Sequence, residues 1–102
     1  MSKYTVIVSS AAREEVAEAC AYIADESSPT AALHWLEGLE AVIASLGEMP
    51  ERLPVAREDP YFPHGTLRRA LHFRHRVLFT VEQSAVYVLH VRHGMRDELT
   101  SP

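Results

Sequence analysis

Arginine and histidine are concentrated in the last third of the chain, where they could recognise an anion or transfer a proton. Residues 64–96 contain six arginines, five histidines and one acidic residue, whereas residues 1–63 contain four basic and eleven acidic residues. Arginine binds phosphate through a planar pair of donors and keeps its charge at neutral pH. In a chain of net charge −4, this polarity predicts an anionic target or an acidic partner. The six arginines are Arg68, Arg69, Arg74, Arg76, Arg92 and Arg96.

Two histidines lie close in sequence to these arginines. His75 precedes Arg76, and His93 lies three residues before Arg96. Imidazole titrates near neutrality, so either histidine could act as a general base or acid in phosphodiester cleavage. Hydrogen-bonded or surface histidines are the simpler interpretation. His90 and His93 share a spacing that metal ligands sometimes use, but no third ligand follows at a recognisable spacing, so the sequence predicts neither a metal site nor a cofactor.

The arginines also have an explanation that involves no function. Exposed strand positions commonly carry arginine, which keeps a sheet soluble and discourages pairing between sheet edges. The charge pattern alone therefore leaves three possibilities open: contact with nucleic acid, binding of an acidic protein, and a solvated surface.

The first half of the chain has the patterns of one strand and two helices. Residues 3–10 alternate between two faces and are rich in β-branched side chains, as in a strand. Residues 11–26 have apolar side chains at helical spacing after two serines that can cap the helix. Ser28 and Pro29 mark the start of a second helix, which Gly47 ends.

The second half predicts a long connection and a β-meander. Residues 47–66 include four prolines, and a connection of this length is either functional or wrapped around the core. Three alternating segments follow, residues 67–73, 74–82 and 85–93, the last two joined by a tight turn. The predicted fold is α+β in the order β-α-α-β-β-β, a single domain over residues 1–102 with a helical hairpin on one face of a curved antiparallel sheet.

This fold predicts what each sheet face carries. Val77, Phe79 and Val81 should face the helices, and the alternate positions Arg74, Arg76 and Thr80 should face away. With Arg68 or Arg69 and Arg96 nearby, the far face would be a basic concave surface. The helices should bury Val16, Cys20, Ile23, Leu36, Leu39, Ile43 and Leu46 against Val77, Phe79, Leu89 and Val91.

The composition is that of a soluble globular protein. It is 47% hydrophobic and 24% charged, and no apolar run approaches the ~20 residues that span a bilayer. Cys20 is the single cysteine, so no internal disulfide forms. The first ten residues lack the apolar stretch of a signal peptide, and we therefore expect a cytoplasmic protein.

Three segments together resemble the RelE/ParE toxin superfamily of type II toxin–antitoxin modules, and most of all its ParE-like plasmid-stabilisation proteins. They are "YTVIVSSAAREEVAEACAYIA", "PTAALHWLEGLEAVIASLGEMPER" and "LRRALHFRHRVLFTVEQSAVYVLHVRHGMR", with an arginine-led strand, a turn, a strand and a closing His-x-x-Arg. The resemblance implies a small microbial toxin neutralised by an antitoxin, in a toxin–antitoxin hetero-oligomer. The antitoxin's C-terminal segment would lie across the helical hairpin and the sheet edge.

The superfamily includes two mechanisms. RelE-like members cleave mRNA in the ribosome, whereas ParE-like members poison DNA gyrase and are not nucleases. The resemblance aligns Arg76 and Arg96 with nuclease arginines and Arg69 with a lysine, and His75 or His93 would have to supply the base and acid. The second-strand lysines and the closing tyrosine of the nucleases are absent here. The resemblance therefore favours the gyrase branch, with the six arginines contacting antitoxin or target; a non-toxic binding module is the third possibility.

Overall fold

Serine caps define where both helices begin. The structure, a computed structural model, describes residues 4–94 of the chain. Helix α1 spans Ser10–Glu26 and helix α2 spans Pro29–Ser45. The hydroxyls of Ser9 and Ser28 each accept a hydrogen bond of 3.0 Å from the backbone N–H three residues later. Each cap satisfies a donor that the first helical turn leaves unpaired. The predicted helical hairpin is therefore confirmed.

Four strands form one sheet, in the spatial order β1-β4-β3-β2. Strands β2, β3 and β4 are the predicted antiparallel meander, and β1 joins it in parallel beside β4. The order β-α-α-β-β-β and the α+β class are confirmed. The sheet is mixed rather than wholly antiparallel, because the helical hairpin carries the chain away from β1 before the meander begins. The strands are Thr5–Val8, Leu67–His72, His75–Glu82 and Ala85–His93.

A β-bulge in β4 changes which residues face the helices. Leu78 pairs with His90 and Phe79 pairs with Val88, so Leu89 is an extra residue opposite this step. The extra residue reverses the alternation, and Leu89 packs on the face away from the helices. Its predicted place under the helices was therefore wrong. The β4 residues in the core beneath the helices are Val86, Val88 and Val91.

The helix-side core otherwise follows the predicted stripe. Leu39 and Leu46 are fully buried between the helices and the sheet, where they meet Val77 and Phe79. Trp35 joins this core from α2. The remaining residues of the stripe pack against it in partly buried positions; they are Val16, Cys20, Ile23, Leu36 and Ile43.

A glycine in α2 lets the helix approach β2 closely. A Cβ atom at Gly38 would lie 2.7 Å from Cε1 of His72, closer than real Cβ contacts allow. The His72 ring is buried there, and its Nε2 lies 2.9 Å from the carbonyl oxygen of Trp35. Gly38 therefore costs helix propensity but makes room for a buried ring.

Residues 47–66, which we call the connector, wrap over the sheet. Val55 bridges Arg68 at the outer edge of β2, and the chain then crosses to the face away from the helices. Of the two expectations for this segment, the structure bears out the one in which it covers the core. The connector-side cluster consists of Ala56, Leu67 and Leu78, with Phe62 and Leu89 packed against it.

Within residues 4–94 no helix is long and apolar enough to cross a bilayer.

Candidate functional site

Arg76 lies on the connector side of the sheet, where it forms an ion pair with Glu58. Its Nη1 and Nη2 atoms donate to the two carboxylate oxygens of Glu58 at 2.9 and 2.5 Å. Arg76 is only 5% exposed. The hydrogen bonds from its guanidinium hold the pKa of the Glu58 carboxyl below the ordinary value, although partial burial acts in the opposite direction. The two-pronged pair therefore fixes the connector to β3 with a charged contact.

Further polar contacts hold the connector along its length. Arg68 Nη1 donates to the carbonyl oxygen of Leu53 at 2.7 Å, and the Thr80 hydroxyl donates to that of Thr66 at 2.8 Å. Thr80, predicted to line an open basic surface, thus binds the chain that covers it.

Arg68 pairs with Phe79 and therefore lies on the helix-side face of β2, so of the two arginines predicted for the far face only Arg69 is there. The predicted concave surface is not open at Arg76 and Thr80, because the connector lies on it. Strand alternation predicted the face of these two side chains correctly, but it could not predict the segment that covers them.

The two candidate histidines lie on the opposite side of the sheet from Arg76. His75 pairs across the strands with His93, and their rings meet edge to face at 5.3 Å. The His75 ring also packs edge-on against Trp35 of α2, at 5.0 Å. Because successive strand residues point to opposite faces, His75 and Arg76 are separated by the sheet. The structure therefore does not bring these histidines and Arg76 into one site.

Glu15 of α1 covers the edge of β4 beyond the end of β1. Its carboxylate accepts a 2.9 Å hydrogen bond from the backbone N–H of Val91. The same carboxylate lies 3.1 Å from Nδ1 of His90 and 3.6 Å from Nε of Arg92. Arg92, which the resemblance assigned to contact with antitoxin or target, and His90 thus both lie beside a carboxylate of the same chain. No group of three or more potential metal-ligating side chains occurs within residues 4–94.

A groove of about 780 Å³ opens between α1, the turn joining β2 to β3, and the end of β4. Trp35 forms part of its floor. Tyr22 on one rim is 57% exposed and Phe73 on the other is 81% exposed. Its walls combine exposed aromatic rings with charges of both signs, which suits a peptide better than a small anion. The lining residues are Glu15, Glu18, Ala19, Tyr22, Ile23, Trp35, Phe73, Arg74, His75, Val91, Arg92 and His93.

The remaining arginines divide between the groove and the far face. The prediction that Arg74 faces away from the helices was wrong, because Arg74 occupies the turn between β2 and β3 and lies exposed on the groove rim. Arg69 is half-buried opposite Leu78. Neither arginine has a hydrogen bond or an ion pair to another side chain within residues 4–94. Arg96 lies outside the described residues.

Sequence reasoning missed several residues that shape these sites. Glu58 and Glu15 have no local signal, because their partners are 18 and more than 70 residues away in the chain. Phe73 was predicted to end a strand, but it occupies the turn after that strand. An aromatic residue at a strand end next to arginine was the only available signal.

Comparison with known proteins agrees with this architecture. The model of the family described as "ParE toxin of type II toxin-antitoxin system, parDE" matches residues 6–98. A solved structure described as "Chromosomal ParDE TA system from P. aeruginosa" superposes with a TM-score of 0.74 at 12% sequence identity, over 89% of this chain and 96% of that one. No curated protein matches significantly by sequence. The match covers nearly all the described elements, and the chain belongs to the ParE toxin family of type II toxin–antitoxin systems.

Proposed function

We propose that this ParE-family chain is a cytoplasmic toxin that inhibits DNA gyrase by protein–protein contact and that a cognate antitoxin neutralises it. The observation that carries the proposal against RNA cleavage is the separation of the nuclease candidates. Arg76 is buried in an ion pair on the connector side, whereas His75 and His93 pack together on the helix side.

Phosphodiester cleavage needs these groups at one place. A general base must come within hydrogen-bond reach of the attacking hydroxyl, and a cation must lie near the phosphate oxygens that gain charge. The charge of Arg76 is already compensated by Glu58, and the connector lies over its face. The position of Arg76 therefore supports a role in holding the fold together. The groove supports recognition of a protein.

The groove is where we place the antitoxin. An antitoxin segment lying across the helical hairpin would meet exposed rings on both rims and charged side chains on both walls. Peptide recognition of this kind commonly uses an amphipathic segment whose apolar face enters the groove. Antitoxin and toxin would then form a hetero-oligomer in which the groove is filled.

The test is induction of the toxin without antitoxin, followed within minutes by pulse labelling of DNA and protein synthesis. We expect DNA synthesis to fail first, and the purified chain to inhibit supercoiling by gyrase. Co-expression of the antitoxin encoded beside the toxin is the control, and it should restore growth. Failure of translation first, with cut mRNA, would favour the ribosome-dependent endoribonuclease instead. Harmless expression of folded protein would favour a non-toxic binding module.

A further inference from the structure

The turn between β2 and β3 places an aromatic residue in a backbone conformation that does not suit it. Phe73 has a φ of +54°, in the left-handed region. It is the first of the two residues that join His72 to His75, a position that favours glycine or asparagine in such hairpins. A bulky side chain at positive φ is uncommon, and such residues persist where the strained conformation has a use.

The Phe73 ring makes little contact with the rest of the fold. Its one ring contact within residues 4–94 is with His72, edge to face at 4.7 Å, and the residue is 81% exposed. Gln83 occupies the equivalent place in the turn between β3 and β4, with a φ of +57° and a polar side chain. The two hairpins thus share a positive φ at their first turn residue, but only the one at the groove presents a large apolar ring to water.

The groove beneath this ring has an apolar floor and opposed charges on its walls. Trp35 is 7% exposed and forms part of that floor. Glu18 lies on the α1 wall and Arg74 on the turn wall, and neither forms an ion pair with another residue of the described part of the chain. An occupant with an apolar face toward the floor and charges of opposite sign at its two sides would complement these groups.

We propose that Phe73 is the anchor residue of the groove and holds an apolar side chain of an antitoxin segment against Tyr22. The segment is amphipathic, with basic residues facing Glu18 and acidic residues facing Arg74. This assignment rests on the proposed function, because it takes the antitoxin as the occupant. It explains why a strained aromatic residue stands at the rim, since exposed aromatic residues commonly dominate binding at protein interfaces.

The test compares Phe73→Asn with the matched variant Gln83→Asn. Asparagine tolerates the left-handed conformation, so both variants should melt within about 5 °C of the unaltered chain. Calorimetric titration with the antitoxin encoded beside the toxin should show a Kd about 30-fold or more weaker for Phe73→Asn. Gln83→Asn and the ring-conserving Phe73→Tyr should each remain within about threefold of the unaltered chain.

Three results would overturn the assignment. Binding of Phe73→Asn within threefold of the unaltered chain would show that the ring is no anchor. A melting temperature lowered by well over 5 °C would show that the ring serves the fold. In both cases neutralisation of the unaltered toxin would leave the proposed function standing. If the antitoxin does not bind the unaltered chain, the proposed function fails and this assignment fails with it.

Discussion

The two faces of the sheet are held by different kinds of interaction. The helix side is a continuous apolar core in which Leu39 and Phe79 are fully buried. Within residues 4–94 the connector side has a cluster of three buried apolar residues. The pair between Arg76 and Glu58 and single hydrogen bonds supplement its contacts. Apolar packing is non-directional and follows periodicity, whereas a charged pair specifies one partner.

This difference explains why the predicted basic surface is covered and not open. An arginine on a strand looks the same in sequence whether it meets a phosphate or a carboxylate of its own chain. Arg76 meets Glu58, and Arg92 lies near Glu15. The density of arginine in this region is therefore partly a property of how the connector and α1 are attached to the sheet.

Truncation of the helix-side core should have the largest effect on stability. Leu39→Ala removes a fully buried side chain and should lower the free energy of unfolding by about 2–5 kcal/mol. Urea denaturation measures this value. The control is Leu33→Ala in the same helix, where the side chain is 52% exposed and the cost should stay below about 1 kcal/mol. A loss below about 1 kcal/mol for Leu39→Ala would reject the core assignment.

Removal of one charge on the connector side should cause the next largest loss of stability. Glu58→Gln leaves the buried Arg76 without its counter-charge and should cost about 3 kcal/mol of unfolding free energy. Glu51→Gln, at an exposed position of the same connector, should change stability by less than about 0.5 kcal/mol. Equal effects of the two substitutions in urea denaturation would show that the pair does not hold the connector.

The bulge predicts an unusual ranking of two neighbouring truncations. Val88 is fully buried under the helices, whereas Leu89 is half-buried against the connector. Val88→Ala should therefore cost about 2 kcal/mol, and Leu89→Ala about 1 kcal/mol although it removes more atoms. A larger loss for Leu89→Ala in the same denaturation measurement would contradict the register of β4.

Acid should weaken the connector side selectively. The pKa of Glu58 is lowered in the folded chain, so its contribution to stability is present above the ordinary carboxyl pKa and is lost as the pH falls through the folded value. Unfolding free energy measured between pH 7 and pH 3 should fall less steeply for Glu58→Gln than for the unaltered chain. Parallel curves would show that this carboxyl has the same pKa in the folded and unfolded states.

The sequence predicted elements whose signals are local. Ser28 and Pro29 mark a helix start within a few residues, and the structure places it there. The facing of β4 was not predictable in this way, because Val86, Tyr87, Val88 and Leu89 are all apolar and give no contrast between the two faces. The bulge then decides which of them is covered by the helices.

The candidate site was harder to predict than the fold. The partner of Arg76 lies in a proline-rich connector that has no periodicity, so nothing in sequence links the two residues. Strand alternation puts His75 and Arg76 on opposite faces of the sheet, but the sequence analysis treated these neighbours as candidates for one site. The groove combines α1, a turn and the end of β4, and only the three-dimensional arrangement brings these together.

The most direct test of the central claim is replacement of the connector pair by apolar side chains of similar length, in the double variant Arg76→Met with Glu58→Met. A well-packed apolar pair can replace a buried ion pair with little loss of stability. If Arg76 fastens the connector and performs no chemistry, the folded double variant should stop growth and DNA synthesis to the extent that we propose for the unaltered chain. A folded double variant that no longer stops growth would contradict the account, because it would show that toxicity needs the guanidinium itself.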